Sequence, residues 1–228
     1  MAQPTNFTEL SLGSAYGRGN RWNKRGVDQA NIATYRITPA AISTAAVCAG
    51  QAAAAAGNLS INGSLAVGGI ATLDVPRAVF ITAPATESGV NFTIYGTDMY
   101  GESLIWTTAG PAAAATTSAK TFKTVTRVAV DTATASSVTV GMADVFGLPY
   151  YLASNEDIVS IWYNSSLVTA NTGLTAGDTT TPSGTTGDIR GKYAVQTASN
   201  GSRKLAITQI VRDAETATGI MGAEQYDG

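Results

Sequence analysis

The hydrophobic pattern of this chain has the two-residue period of β-strands through much of its length. From Asn91 to Thr107 apolar and polar residues alternate, with a turn signal at Asp98–Gly101 and a second strand after it. The segment KTFKTVTRVAVD, residues 120–131, keeps the same period throughout. Strands of about five to eight residues with turns between them are typical of sandwiches and barrels. We therefore predict an all-β fold.

Two Asn-Gly dipeptides mark predicted hairpin turns. Asn62-Gly63 lies inside an alternating segment, and Asn200-Gly201 lies between the strand-like segments 189–198 and 203–213. Asn-Gly readily adopts the positive φ angles that a two-residue hairpin turn needs, so both dipeptides predict hairpins. The alanine-rich residues 40–56 fit either a short helix or an extended segment, and the pattern leaves both open.

Changes in composition along the chain divide it into four parts. They are an extended N-terminal arm (1–34), a β-sandwich or jelly-roll-like body (35–145), a smaller second β unit ending in a hairpin (146–212) and an extended tail (213–228). The boundary after residue 145 rests on Phe-Gly-Leu-Pro, where a glycine and a proline are typical of an exit from a sheet. Residues 173–188 are rich in Gly and Thr and are predicted to be a long loop or an arm.

Composition narrows the chemistry that the chain can perform. It has no histidine and one cysteine, Cys48, so Ser-His-Asp and Cys-His catalysis, histidine metal sites and internal disulfides are excluded. Cys48 lies in an alanine-rich run and is predicted to be a small buried hydrophobe rather than a reactive thiol. Charged residues make up 13% of the chain, about half the usual share. We expect a structural or interaction protein that is not an enzyme and holds no cofactor.

A basic cluster in the arm is the first candidate binding site. Arg18, Arg21, Lys24 and Arg25 surround Trp22. Such a cluster suits phosphates with a stacked base, or an acidic or aromatic protein surface. The net charge of −2 disfavours nucleic acid as the main partner, so we expect the arm to dock on protein.

Acidic residues supply two further candidates. Asp188 and Arg190 stand two apart at the start of a predicted strand, so they fit a local ion pair, with contact to a neighbouring subunit as the alternative. Glu87, Asp98 and Glu102 offer the carboxylates of an acid/base pair, as in glycoside hydrolysis. Asp98, however, lies in a turn signal, where aspartate commonly bonds its own backbone. We expect these carboxylates to be structural.

The chain shows no signal for secretion or for a membrane. Its first ten residues lack the basic segment and apolar core of a signal peptide. Its apolar runs are shorter than the about 18 residues that a spanning helix needs. We therefore expect no membrane partner.

Several segments of the chain resemble structural proteins of tailed bacteriophage particles. They are NLSINGSLAVGGIATLDVPRAVFIT, FTIYGTDMYGESLIWTTAGP and KTFKTVTRVAVDTATASSVTVGMADVFGLPYYL. They carry a Gly-Thr-Asp-x-x-Gly turn before a strand and a Gly-Pro, then a Phe-Lys-x-Val-Thr strand and a Val-Gly-x-x-Asp…Gly-Leu-Pro-Tyr segment. TTGDIRGKYAV with NGSRKLAITQIV looks like the C-terminal hairpin of the same family. The resemblance covers about residues 57–212 and consists of turns and strands rather than chemical signatures.

The resemblance implies a virion component, most like a capsid decoration (cement) protein. Such a protein binds the major capsid protein and copies of itself, and as a homo-oligomer it bridges neighbouring capsid subunits. Assembly in the cytoplasm of a host bacterium and residence in the virion fit a chain without disulfides. A neck, tail or head-fibre component of the same kind of particle is the nearest alternative.

A carbohydrate-binding or adhesion module is the alternative from another class. It would use exposed aromatic residues, among which Trp106 and Trp162 are the candidates. The run Trp162-Tyr163, with Tyr150 and Tyr151, could line a sugar-binding face. At the period of a strand half of such side chains point inward, so the core is the favoured place for them.

Overall fold

The computed structural model describes residues 30–112, 114–169 and 172–212. In these ranges the fold is all-β, as predicted, and contains no α-helix. The strands are β1 (Ala30–Ile37), β2 (Ser43–Gln51), β3 (Gly57–Leu59), β4 (Ala66–Val67), β5 (Ile70–Thr82), β6 (Asn91–Thr97), β7 (Ser103–Ala109), β8 (Thr116–Thr117), β9 (Phe122–Val130), β10 (Val138–Gly147), β11 (Ile158–Tyr163), β12 (Ser166–Leu167), β13 (Leu174–Thr175), β14 (Lys192–Ala194) and β15 (Leu205–Arg212).

The strands form two antiparallel sheets in a sandwich-like arrangement. The larger, curled sheet has the main order β13-β14-β10-β5-β9-β6-β7, with β2 beside β10, β3 beside β9, and β4 and β8 beside β5. The smaller sheet has the order β1-β15-β11-β12. The predicted turn between β6 and β7 is confirmed, because Asp98 Oδ1 accepts from the backbone N–H groups of Tyr100 (2.8 Å) and Glu102 (3.0 Å).

Each sheet buries one set of alternating side chains. The large sheet closes around a core that includes Phe92, Trp106 and Cys48. The inner face of the smaller sheet packs Ile161 and Ile207 against residues from the end of the large sheet. Cys48 is fully buried, which confirms the prediction of a small core residue, and burial raises the pKa of its thiol to about 12.

The open question of residues 40–56 is resolved in favour of a strand. β2 pairs with β10, where Cys48 lies opposite Val140. The backbones approach closely, because a Cβ added at Gly141 would lie 2.3 Å from the carbonyl oxygen of Ser43. Alanine has a high helix propensity, but here its small side chain permits this close strand pairing, so tertiary packing overrides the local preference.

The hairpin predicted at Asn62-Gly63 is wrong. This segment docks on β2 instead, where Asn62 Oδ1 accepts from the N–H of Ala49 at 2.9 Å and the N–H of Gly63 donates to the carbonyl of Val47 at 2.9 Å. The two-residue hairpin turn lies further on, at Gly68-Gly69 between β4 and β5, where φ is +60° and +80°. Two glycines meet the positive-φ requirement as well as Asn-Gly does.

The hairpin predicted around Asn200-Gly201 is also wrong, although a turn with positive φ at Gly201 is present. β14 pairs with β10 and β13 in the large sheet, whereas β15 pairs with β1 and β11 in the smaller sheet. Ser199 marks the point where the chain crosses between the sheets, and its N–H donates to Asp144 Oδ2 at 2.8 Å. Contacts distant in sequence therefore separate two strands that adjacency alone would pair.

The two sheets draw strands from both sides of the sequence-based divisions. β1 begins inside the predicted arm 1–34, continues into the predicted body 35–145 and pairs in the smaller sheet. β14 comes from the predicted unit 146–212 and pairs in the large sheet. The rest of the arm and the predicted tail 213–228 lie outside the described residues.

Candidate interaction surface

The residues singled out from the sequence fall into two groups. The basic cluster of the arm lies outside the described residues; its members are Arg18, Arg21, Trp22, Lys24 and Arg25. Asp188 and Arg190 lie at the end of the loop between β13 and β14, with 3% and 2% of their surface exposed. Their side chains are therefore inside the protomer.

Asp188 and Arg190 do not form the ion pair with each other that their spacing suggested. The guanidinium of Arg190 pairs with Asp98 Oδ2, and its Nη1 has no hydrogen-bond partner within the described part of the chain. Asp188 Oδ2 accepts from the hydroxyl of Thr121 at 2.6 Å, and its Oδ1 accepts from the N–H of Arg190 at 3.0 Å. Each group thus links the loop to a different strand or turn.

Two lysines complete this charge cluster, the buried Lys120 and the partly buried Lys192. Lys120 Nζ donates to the carbonyl of Ser183 at 2.6 Å, and Lys192 Nζ donates to the carbonyl of Ala119 at 2.8 Å. Burial lowers the pKa of Lys120 to about 8, against the opposing influence of Asp188 and Asp178. Burial also lowers the pKa of Lys192, again opposed by Asp188. We call this group the buried charge cluster; Asp98, Lys120, Asp188 and Arg190 are buried, and Asp178 and Lys192 at its margin are partly buried.

The buried charge cluster fastens the loop between β13 and β14 over one edge of the large sheet. Within residues 173–188, predicted to be a loop or an arm, Leu174–Thr175 form β13 and residues 176–188 form a docked loop. The carbonyl of Gly184 accepts from the N–H of Thr107 on the edge strand β7, at 2.6 Å. A Cβ added at Gly184 would lie 2.9 Å from the hydroxyl oxygen of Thr107, so the loop lies close against the strand. The cluster stabilises a covered edge.

The carboxylate considered for acid/base chemistry at Glu87 also has a structural position. Glu87 is buried and accepts from the N–H groups of Ala135 (2.8 Å) and Ser136 (2.7 Å) and from the Ser136 hydroxyl (2.7 Å). Burial acts to raise the pKa of Glu87, but these hydrogen bonds outweigh burial and lower it. Glu87 therefore holds the turn between β9 and β10 as a carboxylate.

The same ranges lack features of metal sites and of membrane-spanning helices. The described residues contain no group of three or more His, Cys, Asp or Glu side chains that could hold a metal ion. They also contain no helix long and apolar enough to cross a membrane.

The smaller sheet presents a largely uncharged surface on the side away from the core. Register and alternation place one row of side chains from each strand on this side. We call it the outer face; it consists of Ile32, Thr34, Arg36, Ser160, Trp162, Leu167, Ala206, Thr208 and Ile210. At its centre the hydroxyls of Thr34 and Thr208 lie 3.0 Å apart. Arg36 carries its only charge.

The outer face is where exposed apolar side chains concentrate. Ile32, Trp162 and Leu167 are 48%, 47% and 50% exposed, and Val159, at a bulge in β11, is also exposed. These four are half of the eight large hydrophobic residues exposed in the described ranges. Clustered exposed apolar residues, unlike scattered ones, are typical of interaction sites.

Sequence patterns did not identify this surface. The sequence pattern favours the core for about half of the aromatic side chains around Trp162-Tyr163; Tyr163 is buried, whereas Trp162 points outward. Trp106, the other aromatic candidate, is buried in β7. Alternation shows that one of two neighbours faces the core, but it does not show which. A weak signal was available, since β1, β11 and β15 carry apolar residues at successive positions, as strands covered on both faces do.

A polar groove of about 440 Å³ opens beside the outer face next to Leu167. Its lining includes Tyr163, Gln196 and Arg203 together with threonine hydroxyls. Arg203 Nη1 donates to the carbonyl of Ala198, and Gln196 Nε2 donates to the carbonyl of Thr172 at 3.3 Å. The main donors of the groove thus bind the protein's own backbone.

Charge is distributed unevenly between the described body and the chain ends. Residues 30–212 carry ten basic and ten acidic residues, and so have no net charge. Residues 1–29 carry four basic and two acidic residues, whereas residues 213–228 carry four acidic and no basic ones. Ala30 and Arg212, where the two ends join the body, are paired across β1 and β15. Both ends therefore leave the body at the same end of the smaller sheet.

Comparison of the chain with protein-family models, curated protein sequences and solved structures found no match.

Proposed function

We propose that this chain is a virion structural protein that binds the capsid surface and, as an oligomer, cements neighbouring capsid subunits. The observation that carries the proposal is the outer face of the smaller sheet, which is apolar, nearly uncharged and next to the point where both chain ends leave the body. The sequence resemblance to phage particle proteins supports the same role. The major capsid protein and further copies of this chain are the proposed partners.

The outer face has the physical properties of a surface that binds protein. Covering the exposed parts of Trp162, Leu167 and Ile32 would gain about 25 cal/mol for each Å² of apolar area removed from water. Arg36 is the one charged group of the outer face that would lose hydration in the process, so the penalty for desolvating charge is small. A partner surface of similar polarity can therefore bind without matching a pattern of charges.

The arm extends the contact of the outer face to a neighbouring capsid subunit. Fully extended, residues 1–29 span at most about 100 Å, which is enough to cross from one capsid subunit to another. Their net positive charge suits an acidic surface on the neighbour. Two linked contacts raise the overall affinity above that of either alone, and repetition over a lattice extends the effect.

The direct test adds the purified full chain to particles that lack it. We expect binding in hundreds of copies per particle and greater resistance of the bound particles to heat. Binding in a single ring of copies would favour the neck, tail or fibre alternative. Absence of binding to the particle would overturn the proposal.

Variants separate the contributions of the outer face and the arm. Trp162→Ser combined with Leu167→Ser should abolish particle binding, while Val67→Ser, at a residue 82% exposed on the other sheet, is the matched control and should bind normally. The arm is tested by removing residues 1–29 rather than 1–34, because β1 begins at Ala30. If this deletion left particle binding and particle stability unchanged, the arm would have no part in cementing.

Glycan binding distinguishes the carbohydrate alternative. Of the two tryptophans in the described ranges, Trp162 is the exposed one that such a module would use, since Trp106 is buried. Binding of the wild-type chain to a glycan array, lost in Trp162→Ala, would support that alternative over the capsid role.

A further inference from the structure

Of the four strands at the ends of the main strand orders of the two sheets, three are protected against pairing with another chain. The edge strand β7 is covered by the docked loop through the bond from the Thr107 N–H to the Gly184 carbonyl. β13 and β12 are only two residues long each. Covering an edge and shortening it are two of the ways in which proteins avoid edge-to-edge association.

The fourth edge strand, β1, has neither protection. It is eight residues long and pairs with β15 along its whole length on one side. Within the described ranges no strand or loop bonds to its other side. The strand ANIATYRI contains no proline and no lysine, and its single charged residue is Arg36. Such a strand presents a row of unpaired N–H and C=O groups to a partner.

We propose that β1 pairs with β1 of a second copy, antiparallel and across a twofold axis, so that two four-stranded sheets become one eight-stranded sheet. The inference rests on the proposed function for its biological role, because it specifies which edge builds the oligomer. The two outer faces then form one continuous surface. The bonds are main-chain bonds, as in other cases of strand addition.

Charge favours a second copy in this orientation. In an antiparallel pair centred on Thr34, so that Thr34 faces Thr34 of the second copy, each Arg36 lies opposite Ile32 and the two Arg36 residues do not meet. A parallel pair would place them side by side, which is destabilising. The body as a whole has no net charge, so two copies approach without net repulsion. The same patch serves both copies, as a closed twofold interface requires.

The β1–β1 interface between the two copies, called the joint below, should form reversibly in solution. A ladder of eight residues per chain is short compared with stable interfaces, which bury about 1,200–2,000 Å². We therefore expect a monomer–dimer equilibrium that depends on concentration. Binding to a particle would raise the local concentration and favour the dimer.

The test measures the mass of the full chain by sedimentation and native mass spectrometry over a range of concentrations. Ala33→Pro and Thr34→Pro form a matched pair, because successive residues of a strand direct their N–H groups to opposite edges. One substitution removes a bond to β15 and lowers the melting temperature. The other removes only an N–H on the free edge, and it should leave a folded monomer that does not dimerise.

A second pair of variants does not depend on proline. Thr34→Lys adds a charge next to the joint, and Thr208→Lys adds the same charge on the same face one strand further away. We expect Thr34→Lys to weaken dimerisation at least tenfold at low salt, and Thr208→Lys to weaken it much less. Salt should reverse the effect of Thr34→Lys.

The outcomes are distinct from those of the particle-binding test. A wild-type chain that stays monomeric at every concentration, or forms a trimer, overturns the twofold joint, and so does a dimer that all four variants leave intact. In the monomeric case, protection of the β1 amides from hydrogen exchange that disappears on removal of residues 1–29 would identify the chain's own arm as the occupant. If the chain binds particles as a monomer, the proposed function stands and the β1–β1 pairing is wrong. If it dimerises but does not bind particles, the β1–β1 pairing stands and the proposed function is wrong.

Discussion

The edge strands β7 and β1 differ in how the protein deals with an unpaired strand edge. Both are edge strands of seven or eight residues with one side unpaired by any strand. A loop held by the buried charge cluster covers β7, whereas the described residues place nothing over β1. The difference is that the fold closes one edge, whereas the described residues leave the other edge open.

Covering the β7 edge carries an energetic penalty, because charged groups are buried beneath the covering loop. Arg190, Asp98 and Lys120 are almost completely buried, and burial of charged groups is unfavourable unless they are paired and hydrogen-bonded. The lowered pKa of Lys120 reflects this penalty, because burial disfavours the charged form of its amino group. Within the described ranges, buried charged groups thus cover the β7 edge, and no such groups cover the β1 edge.

The largest expected effect comes from breaking the ion pair under the covering loop. Arg190→Met leaves the Asp98 carboxylate buried without its partner, and we expect a loss of about 3–5 kcal/mol in the free energy of unfolding. Adding Asp98→Asn should restore most of this loss. The amide oxygen can still accept from the N–H groups of Tyr100 and Glu102, and the uncompensated charge is gone. Urea unfolding measures both variants.

Arg127→Met is the matched control for this experiment. Arg127 is exposed, and its guanidinium lies 3.5 Å from the centre of the Tyr95 ring. Its removal should cost no more than about 1 kcal/mol. If Arg190→Met cost as little as the control, the buried charge cluster would not be what holds the loop.

The fold class was predictable because it depends on local signals. The period of two in β9 and the Asp98 turn are properties of a few adjacent residues, and both are present in the structure. Pairing between distant strands was not predictable in the same way. The hairpin expected around Asn200-Gly201 failed because β15 pairs with β1, which lies at the other end of the described chain.

In the candidate sites, too, local features were predictable from the sequence and pairings between distant residues were not. The spacing of Asp188 and Arg190 correctly drew attention to charged groups, but their partners Thr121 and Asp98 are far away in sequence. No local pattern specifies such a pairing. The outer face was not identified because alternation predicts that one of Trp162 and Tyr163 faces the core but does not show which.

The second prediction uses pH to probe the covered edge. The pKa of Lys120 is lowered from 10.5 to about 8 in the folded state. Between these values the unfolded chain binds more protons than the folded chain, so this group makes stability rise with pH; the gain is complete above about 10.4 and lost as the pH falls to about 8. Lys120→Met should therefore lack that rise.

The measurement is the difference in unfolding free energy between the wild type and each variant from pH 7 to pH 11. Taking the difference cancels the titration of the tyrosines. Lys204→Met removes an exposed lysine and should keep the pH dependence of the wild type. An unchanged slope in Lys120→Met would mean that Lys120 retains its contact with water.

The third prediction compares the two edges directly by hydrogen exchange. The Thr107 N–H, which donates to Gly184, should exchange slowly at any protein concentration, and Arg190→Met should accelerate it by releasing the loop. About half of the β1 amides point away from β15 and should exchange fast in dilute protein. They should slow as the concentration rises. Protection of β1 that is independent of concentration in the chain lacking residues 1–29 would contradict the proposed pairing.

The smallest expected change in stability concerns Trp162, whose buried counterpart is Trp106 on the covered strand β7. Trp162→Ser removes a side chain that is about half exposed and makes no contribution to either core, so the free energy of unfolding should change by no more than about 0.5 kcal/mol. Trp106→Ser should instead cost about 3–5 kcal/mol, because it leaves a cavity in the core of the large sheet. If the outer face is a binding surface, Trp162→Ser should nevertheless weaken particle binding strongly while thermal unfolding stays that of the wild type. If Trp162→Ser lost stability and binding together, Trp162 would belong to the core of the protomer. The contrast between the covered β7 edge and the exposed smaller sheet would then no longer hold.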